Sequence, residues 1–393
     1  MPETQQEPPA QAPSAHEATA PTAVTAPAAA GHAALDALPH TASGAQVWAA
    51  LGRAGLITRA YRDGDVRSGA DPDGLANLLA AVDTRFSLAA TLSVSVQLAT
   101  ALPILATGRS QVAQQALTSA LAGRATIALA ATDVTAGTDL TALRTRVRID
   151  DDALEVTGEK NWIANTTTAA FFLVLARHRP GRHFTHFTWV LVPADAPGVS
   201  VGPADSALFA DSGVGHVVLD GVRLDRDHLL GRVGFGLPLF ARHIATERLA
   251  GAQWGVALCR RVLDDTLRHL SGRPHGEGTL WDLDGVRRTF SACLVRVREL
   301  QALVAYHAEQ VAVRHDTTAA ATLKAAAGAT VNHVLAECGQ LWGAAGFATG
   351  GIQELRAQAA LFAIGGGANE VVLGAVADAA EAVIADMART AHT

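Results

Sequence analysis

A chain of 393 residues, 49% of them hydrophobic, can bury two or three cores or one large one. Its formal net charge of −6 argues against the basic stripe of a nucleic-acid-binding protein. Cys259, Cys293 and Cys338 are far apart, with no CxxC pair, which argues against a zinc site or a disulfide framework. The expectation is reduced, buried thiols in a cytoplasmic protein without a metal.

In chain order, residues 1–40 are rich in Pro, Ala, Thr and Gln and almost lack large apolar side chains. Burial there cannot offset the entropy of ordering, so the segment reads as a disordered tail. Residues 41–126 read as a helical domain. Val47, Leu51, Leu56 and Ile57 recur at helical spacing, as do the apolar residues of 75–98 and of 112–121, before Gly123. Residues 127–235 change character: short β-branched runs at 127–131, 146–149, 153–156, 171–176, 187–192, 199–201 and 216–219 are separated by turn signals. Strands without intervening helices predict a β-barrel or sandwich. Over 236–393, long helical patterns return at 238–270, 283–315, 318–341 and 369–390, predicting an antiparallel bundle. The fold class is α+β, mostly α. The longest apolar runs, such as 169–176, are too short to span a bilayer, and the N-terminus lacks the pattern of a secretory signal.

Five segments carry a more specific pattern. They are Ala131-Thr132-Asp133-Val134-Thr135-Ala136-Gly137-Thr138-Asp139; Gly158-Glu159-Lys160-Asn161-Trp162-Ile163-Ala164-Asn165; Leu191-Val192-Pro193-Ala194-Asp195-Ala196-Pro197-Gly198-Val199; Gln340-Leu341-Trp342-Gly343-Ala344-Ala345-Gly346-Phe347; and Ile364-Gly365-Gly366-Gly367-Ala368-Asn369-Glu370. In this order, over about residues 45–390, they resemble the acyl-CoA dehydrogenase family. The resemblance implies three parts: an N-terminal helical domain, a middle β-barrel and a C-terminal four-helix bundle. It also implies FAD as cofactor.

By the same resemblance, Thr132, Gly137, Thr138, Trp162 and Ala164 form the wall around the flavin ring. A Trp suits that task because a large flat side chain can stack on the ring; a core aromatic is the alternative for Trp162. Ala164 stands where the family usually has Thr. Gln340 and Gly343 match a turn that contacts the FAD of a neighbouring subunit, with Ala344 in place of the second Gly, although a glycine-rich turn also simply ends a helix. Ala368 and Glu370 open the last helix toward the cofactor. Arg273 matches an Arg that pairs with the FAD pyrophosphate, a surface Arg being the alternative.

Removing the α-proton of a thioester needs a base, and a partly buried carboxylate can serve. Gly366 falls where many members of the family carry the catalytic Glu. Other branches place that Glu on the first long helix of the bundle, where this chain has Thr246-Glu247-Arg248-Leu249. Glu247 is the candidate base, against the alternative of a solvated helical Glu paired with Arg. Gly366 retains an N–H that can hold the thioester carbonyl. The implied partners are an acyl or aminoacyl thioester on CoA or a carrier protein, an electron-transfer flavoprotein or oxygen as acceptor, and further copies of the chain in a homo-oligomer, with a tetramer expected. A role in secondary metabolism is expected. A flavin monooxygenase or oxidase of the same fold, and a non-catalytic scaffold, stay open.

Overall fold

Polar caps set where the N-terminal helices begin. Ser43 and Gln46 form a capping box at the start of α1 (Gly44–Arg53). Asp71 accepts the Gly74 N–H at 2.6 Å ahead of α2 (Pro72–Arg85), and Ser87 caps α3 (Leu88–Val96). Phe86 is extended between α2 and α3, so the apolar stretch 75–98 is two helices and not one. A π-turn, Gln97–Ala101, continues α3 into the short α4 (Leu102–Leu105), and α5 (Gln111–Leu121) closes the domain.

This computed structural model describes residues 33–134, 137 and 139–390, so Thr138 and most of the expected tail lie outside the described residues. The helical domain starts before residue 41. Leu35 is buried, and its carbonyl accepts from Arg85 Nε at 2.7 Å.

The middle domain is an eight-stranded sheet: β1 (Thr126–Ala130), β2 (Arg146–Ile149), β3 (Ala153–Ile163), β4 (Ala169–Arg177), β5 (Phe187–Pro193), β6 (Val199–Pro203), β7 (Gly215–Asp225) and β8 (Leu229–Leu230). The path runs β6-β7-β3-β2-β4-β5-β8, with β1 lying parallel to β4. Strand alternation serves two cores at once. Leu173, Leu175, Trp189 and Leu191 face the helices, while Phe172, Val174, Val190 and Val192 fill the interior of the β-domain. β3 runs seven residues beyond the expected 153–156, because β7 pairs with it as far as Ile163. Gly158 lets β3 pass close to the segment ahead of β2: a Cβ there would lie 2.6 Å from Thr145 Cα.

Trp189 Nε1 donates to Gly236 O at 2.9 Å and fixes the start of α6 (Gly236–Gly272). A small hairpin, β9 (Pro274–His275) with β10 (Gly278–Thr279), leads to α7 (Asp284–Arg314) and α8 (Thr317–Trp342). The three cysteines converge: each of α6, α7 and α8 supplies one, all are buried, and Cys293 and Cys338 share a hydrogen bond. After α8 the chain breaks into α9 (Ile352–Ala359), α10 (Leu361–Ile364), α11 (Asn369–Asp378) and α12 (Ala380–Thr390). The sequence pattern missed α9 and joined α11 to α12.

Two segments are longer and more apolar than the sequence reading allowed. Residues 88–105 have mean hydropathy 1.7 and are 83% buried, as a core helix must be. Residues 352–378 have mean hydropathy 1.5 and are mostly exposed, but the turn at 365–367 interrupts their helix.

Candidate active site

Glu247 lies on α6 in the stretch where that helix passes the π-turn. Its Oε2 accepts a 2.5 Å hydrogen bond from Thr100 Oγ1. A π-turn adds a residue to the helical cycle and re-aims side chains, which is why such turns recur at functional sites. The same turn is pinned to the sheet by Gln97, whose Oε1 accepts from the Ile127 N–H at 3.0 Å. Burial pushes the Glu247 carboxyl above the ordinary glutamate range; the Thr100 bond and the Arg248 charge oppose it.

Glu247 opens onto a cleft of about 510 Å³, its mouth included, lined in part by Arg248, Trp254, Lys324 and Gly366. Gly366 faces the carboxylate. A Cβ built on it would lie 3.9 Å from Glu247 Oε1, and its φ of 71° suits glycine. The two loci that the sequence treated as alternatives for the base therefore share one cleft. Arg248 Nε donates to Gly366 O at 3.1 Å, while the Gly366 N–H has no partner among the described residues. That free N–H is what an oxyanion donor requires.

Sequence reading missed two residues here. Thr100 is one. The other is Lys324, only 5% exposed on α8, whose Nζ donates to Asn369 Oδ1 at 2.7 Å. Burial first, then Arg248, pull its pKa down to about 8, against the pull of Glu370. A lone Lys in an Ala-rich helix was its only sequence signal. Through Asn369 it holds the start of α11, where Ala368 is half-buried and Glu370 is exposed.

The β-domain wall forms a second group. Thr132 Oγ1 donates to Asn161 O, and the fully buried Lys160 donates from Nζ to Ala131 O, both at 3.0 Å, so the end of β1 is tied to β3. Burial lowers the Lys160 pKa to about 7, against the nearby Asp133. Asp133 Oδ2 accepts from the Arg144 and Thr145 N–H groups. Trp162 is 61% exposed with a φ of 57°, and its ring meets His216 edge-on at 5.6 Å. It is therefore not a core aromatic, and its indole stands free to stack. Ala164 beside it is half-buried, and Gly137 is exposed.

Arg273, Gln340 and Gly343 form a third group where α6 and α8 end, all three exposed. His269 stacks on Trp342 at 4.2 Å, and Trp342 Nε1 donates to Thr266 Oγ1 at 3.0 Å. Burial and then the Arg273 charge hold the His269 pKa below the ordinary range. Gly343 caps α8 with a φ of 54°. Beside them lies a cleft of about 840 Å³, its opening included, with Arg261, Arg268 and Trp342 in its wall. Buried Asp83 stands between the two clefts, accepting from Trp254 Nε1 and Arg261 Nε at 2.9 Å each.

The family profile for the middle domain of acyl-CoA dehydrogenases matches residues 128–222, and that for the C-terminal domain matches residues 234–381. The chain belongs to the acyl-CoA dehydrogenase family. Among curated relatives, the acyl-[acyl-carrier-protein] dehydrogenase MbtN of Mycobacterium sp. (strain MCS) is 28% identical over 344 residues, 84% of each chain. Among solved structures, an FAD-dependent dehydrogenase is similar with a TM-score of 0.78 at 22% identity, covering 91% of this chain and 98% of the other. The butyryl-CoA dehydrogenase of Megasphaera elsdenii is similar with a TM-score of 0.80 at 17% identity, covering 90% and 96%. Acyl-CoA dehydrogenases are oxidoreductases that act on CH–CH groups and use FAD, and the helical, sheet and helical parts follow their order.

Proposed function

We propose that this protein is an FAD-dependent dehydrogenase that desaturates an acyl thioester between its α and β carbons, with Glu247 as the base. The exposed face of Trp162 and the glycine turns at Gly343 and Gly366 fit a flavin; bound there, FAD would accept the hydride from the β carbon, and with it the two electrons of the oxidation. Glu247 takes the α-proton onto its carboxylate, which burial makes more basic than a solvated one. The Gly366 N–H donates to the thioester carbonyl and stabilises the charge that develops there as the proton leaves. Arg248 holds the Gly366 carbonyl, in the peptide unit that follows that N–H, and so restrains the loop that carries it. The apolar walls around them exclude water and strengthen both interactions.

The single observation that carries this reading is the meeting of Glu247 Oε1 and Gly366 across one cleft. Glu247→Gln should retain FAD yet slow reduction of the flavin by substrate about 100-fold or more, the scale of a lost general base. Equal rates in anaerobic stopped-flow absorbance would remove Glu247 from the mechanism.

For the finer substrate, we favour a thioester carried on a protein, as in secondary metabolism; the name of the MbtN relative supports it. Comparing reduction by butyryl-carrier protein and butyryl-CoA tests it, and faster reduction by the CoA ester would refute it. An electron-transfer flavoprotein or oxygen would take up the electrons. Exposed Ile364, Val371, Leu373, Ile384 and Met387 on the last helices support association with further copies of the chain.

A further inference from the structure

The β-domain carries a cleft that the chemistry above does not use. It has a volume of about 930 Å³, its open side included. Five arginines line it: Arg144, Arg146, Arg148, Arg177 and Arg179. His178 joins them, and no Asp or Glu is among the lining residues. The whole chain has a net charge of −6, so this is a local reversal of sign.

Its origin is strand periodicity. Thr145 and Val147 point inward and are buried, so Arg144, Arg146 and Arg148 leave the opposite face at every second residue. The end of β4 and the turn after it add Arg177, His178 and Arg179. Arg146 and Arg177 are register partners on β2 and β4, two like charges side by side, an arrangement that costs stability. Two of the local arginines are neutralised: Arg148 by Asp150 at 3.2 Å and Glu155 at 3.1 Å, and neighbouring Arg182 by Asp139 at 3.7 Å. Arg177 is committed to the carbonyls of Thr141 and Leu143. The side chains of Arg146 and Arg179 are exposed, without a hydrogen-bond or ion-pair partner among the described residues.

We infer that this cleft docks an acidic helical face of the carrier protein that presents the acyl thioester; the inference rests on the carrier-bound substrate proposed above. A row is the informative shape. Strand residues two apart repeat at about 6.6–6.8 Å. Helix residues four apart repeat at about 6 Å. A line of carboxylates along one helix face therefore matches the Arg144-Arg146 step in pitch, Arg148 being held by Asp150 and Glu155. A single phosphate calls instead for a few convergent donors, not an open row. The cleft also adjoins the flavin wall, since the Arg144 N–H is held by Asp133 and Arg177 clamps residues 141 and 143. Charges at such a rim act mainly on encounter and on salt dependence.

The test uses the FAD-loaded enzyme with Arg146→Glu and Arg179→Glu combined, and three butyryl thioesters: on an acidic phosphopantetheinyl carrier protein, on CoA and on N-acetylcysteamine. The variant should raise KM for the carrier thioester about tenfold, leave its kcat and both small thioesters unchanged, and flatten the salt dependence of the carrier KM. The double alanine variant should fall between, which guards against a folding defect in the reversal. Binding of fluorescently labelled carrier protein, read by anisotropy, should weaken in parallel and does not depend on turnover. If no thioester bleaches the unmodified enzyme, the substrate reading fails, and anisotropy still decides the docking. Unchanged carrier binding overturns the docking. So does a KM rise confined to the CoA ester, which would make the cleft a nucleotide-phosphate site, or an equal loss with the N-acetylcysteamine ester.

Discussion

Burial makes the Glu247 carboxylate more basic than a solvated one, as the proposed base requires, while the Thr100 hydroxyl restrains it. Because its pKa is raised, the active anion is lost as pH falls through a value above the ordinary glutamate range. The acid limb of flavin reduction should lie at correspondingly higher pH than for a solvated Glu. Thr100→Val removes the 2.5 Å bond that favours the anion, so it should move that limb further up in pH. A pH–rate profile of reduction that does not move would take Thr100 out of the mechanism. Glu247 and Gly366 were legible in the sequence because each sits in a short recognisable segment. Thr100 and Lys324 were not, since the partner of Thr100 is 147 residues away and that of Lys324 is 45 away.

At the scale of elements, the N-terminal helices join the bundle through a buried ion pair. Asp83 on α2 is 1% exposed and accepts from Trp254 and Arg261 on α6. Removing one partner of such a pair typically costs about 3–5 kcal/mol. Arg261 is itself partly exposed and can rehydrate, so Asp83→Ala should cost about 3 kcal/mol, read by urea unfolding. A loss below about 1 kcal/mol would mean that the pair is not holding the two layers together. The helices and strands themselves were readable from their periods, with ends shifted by a few residues. β3 was read too short because its far half is stabilised by pairing with β7, a strand distant in sequence (Ile163 with Gly215, Gly158 with Leu219). The last helix was read as one because Ala379 breaks it with no Gly or Pro to announce the break.

For the whole molecule, a fully buried lysine ties stability to pH. The Lys160 pKa is about 7 in the fold against an ordinary 10.5. Between those values the unfolded chain binds a proton that the native chain does not, so stability rises with pH from about 7 toward 10. Lys324, lowered to about 8, acts in the same direction. Denaturant midpoints should climb across that window, and Lys160→Met should flatten the climb; an identical slope in the variant would show that Lys160 is charged in the native state. By itself the sequence determined the order of helices, strands and helices, because periodicity and turn chemistry are local, while the resemblance of short segments to the family singled out Glu247 and the expected flavin wall. The tertiary structure alone decided that Glu247 meets Thr100 and Gly366, that the three cysteines converge, and that β2 and the β4–β5 turn pool their arginines. Desolvation and charge proximity depend on which distant segments pack together, and no local pattern records that.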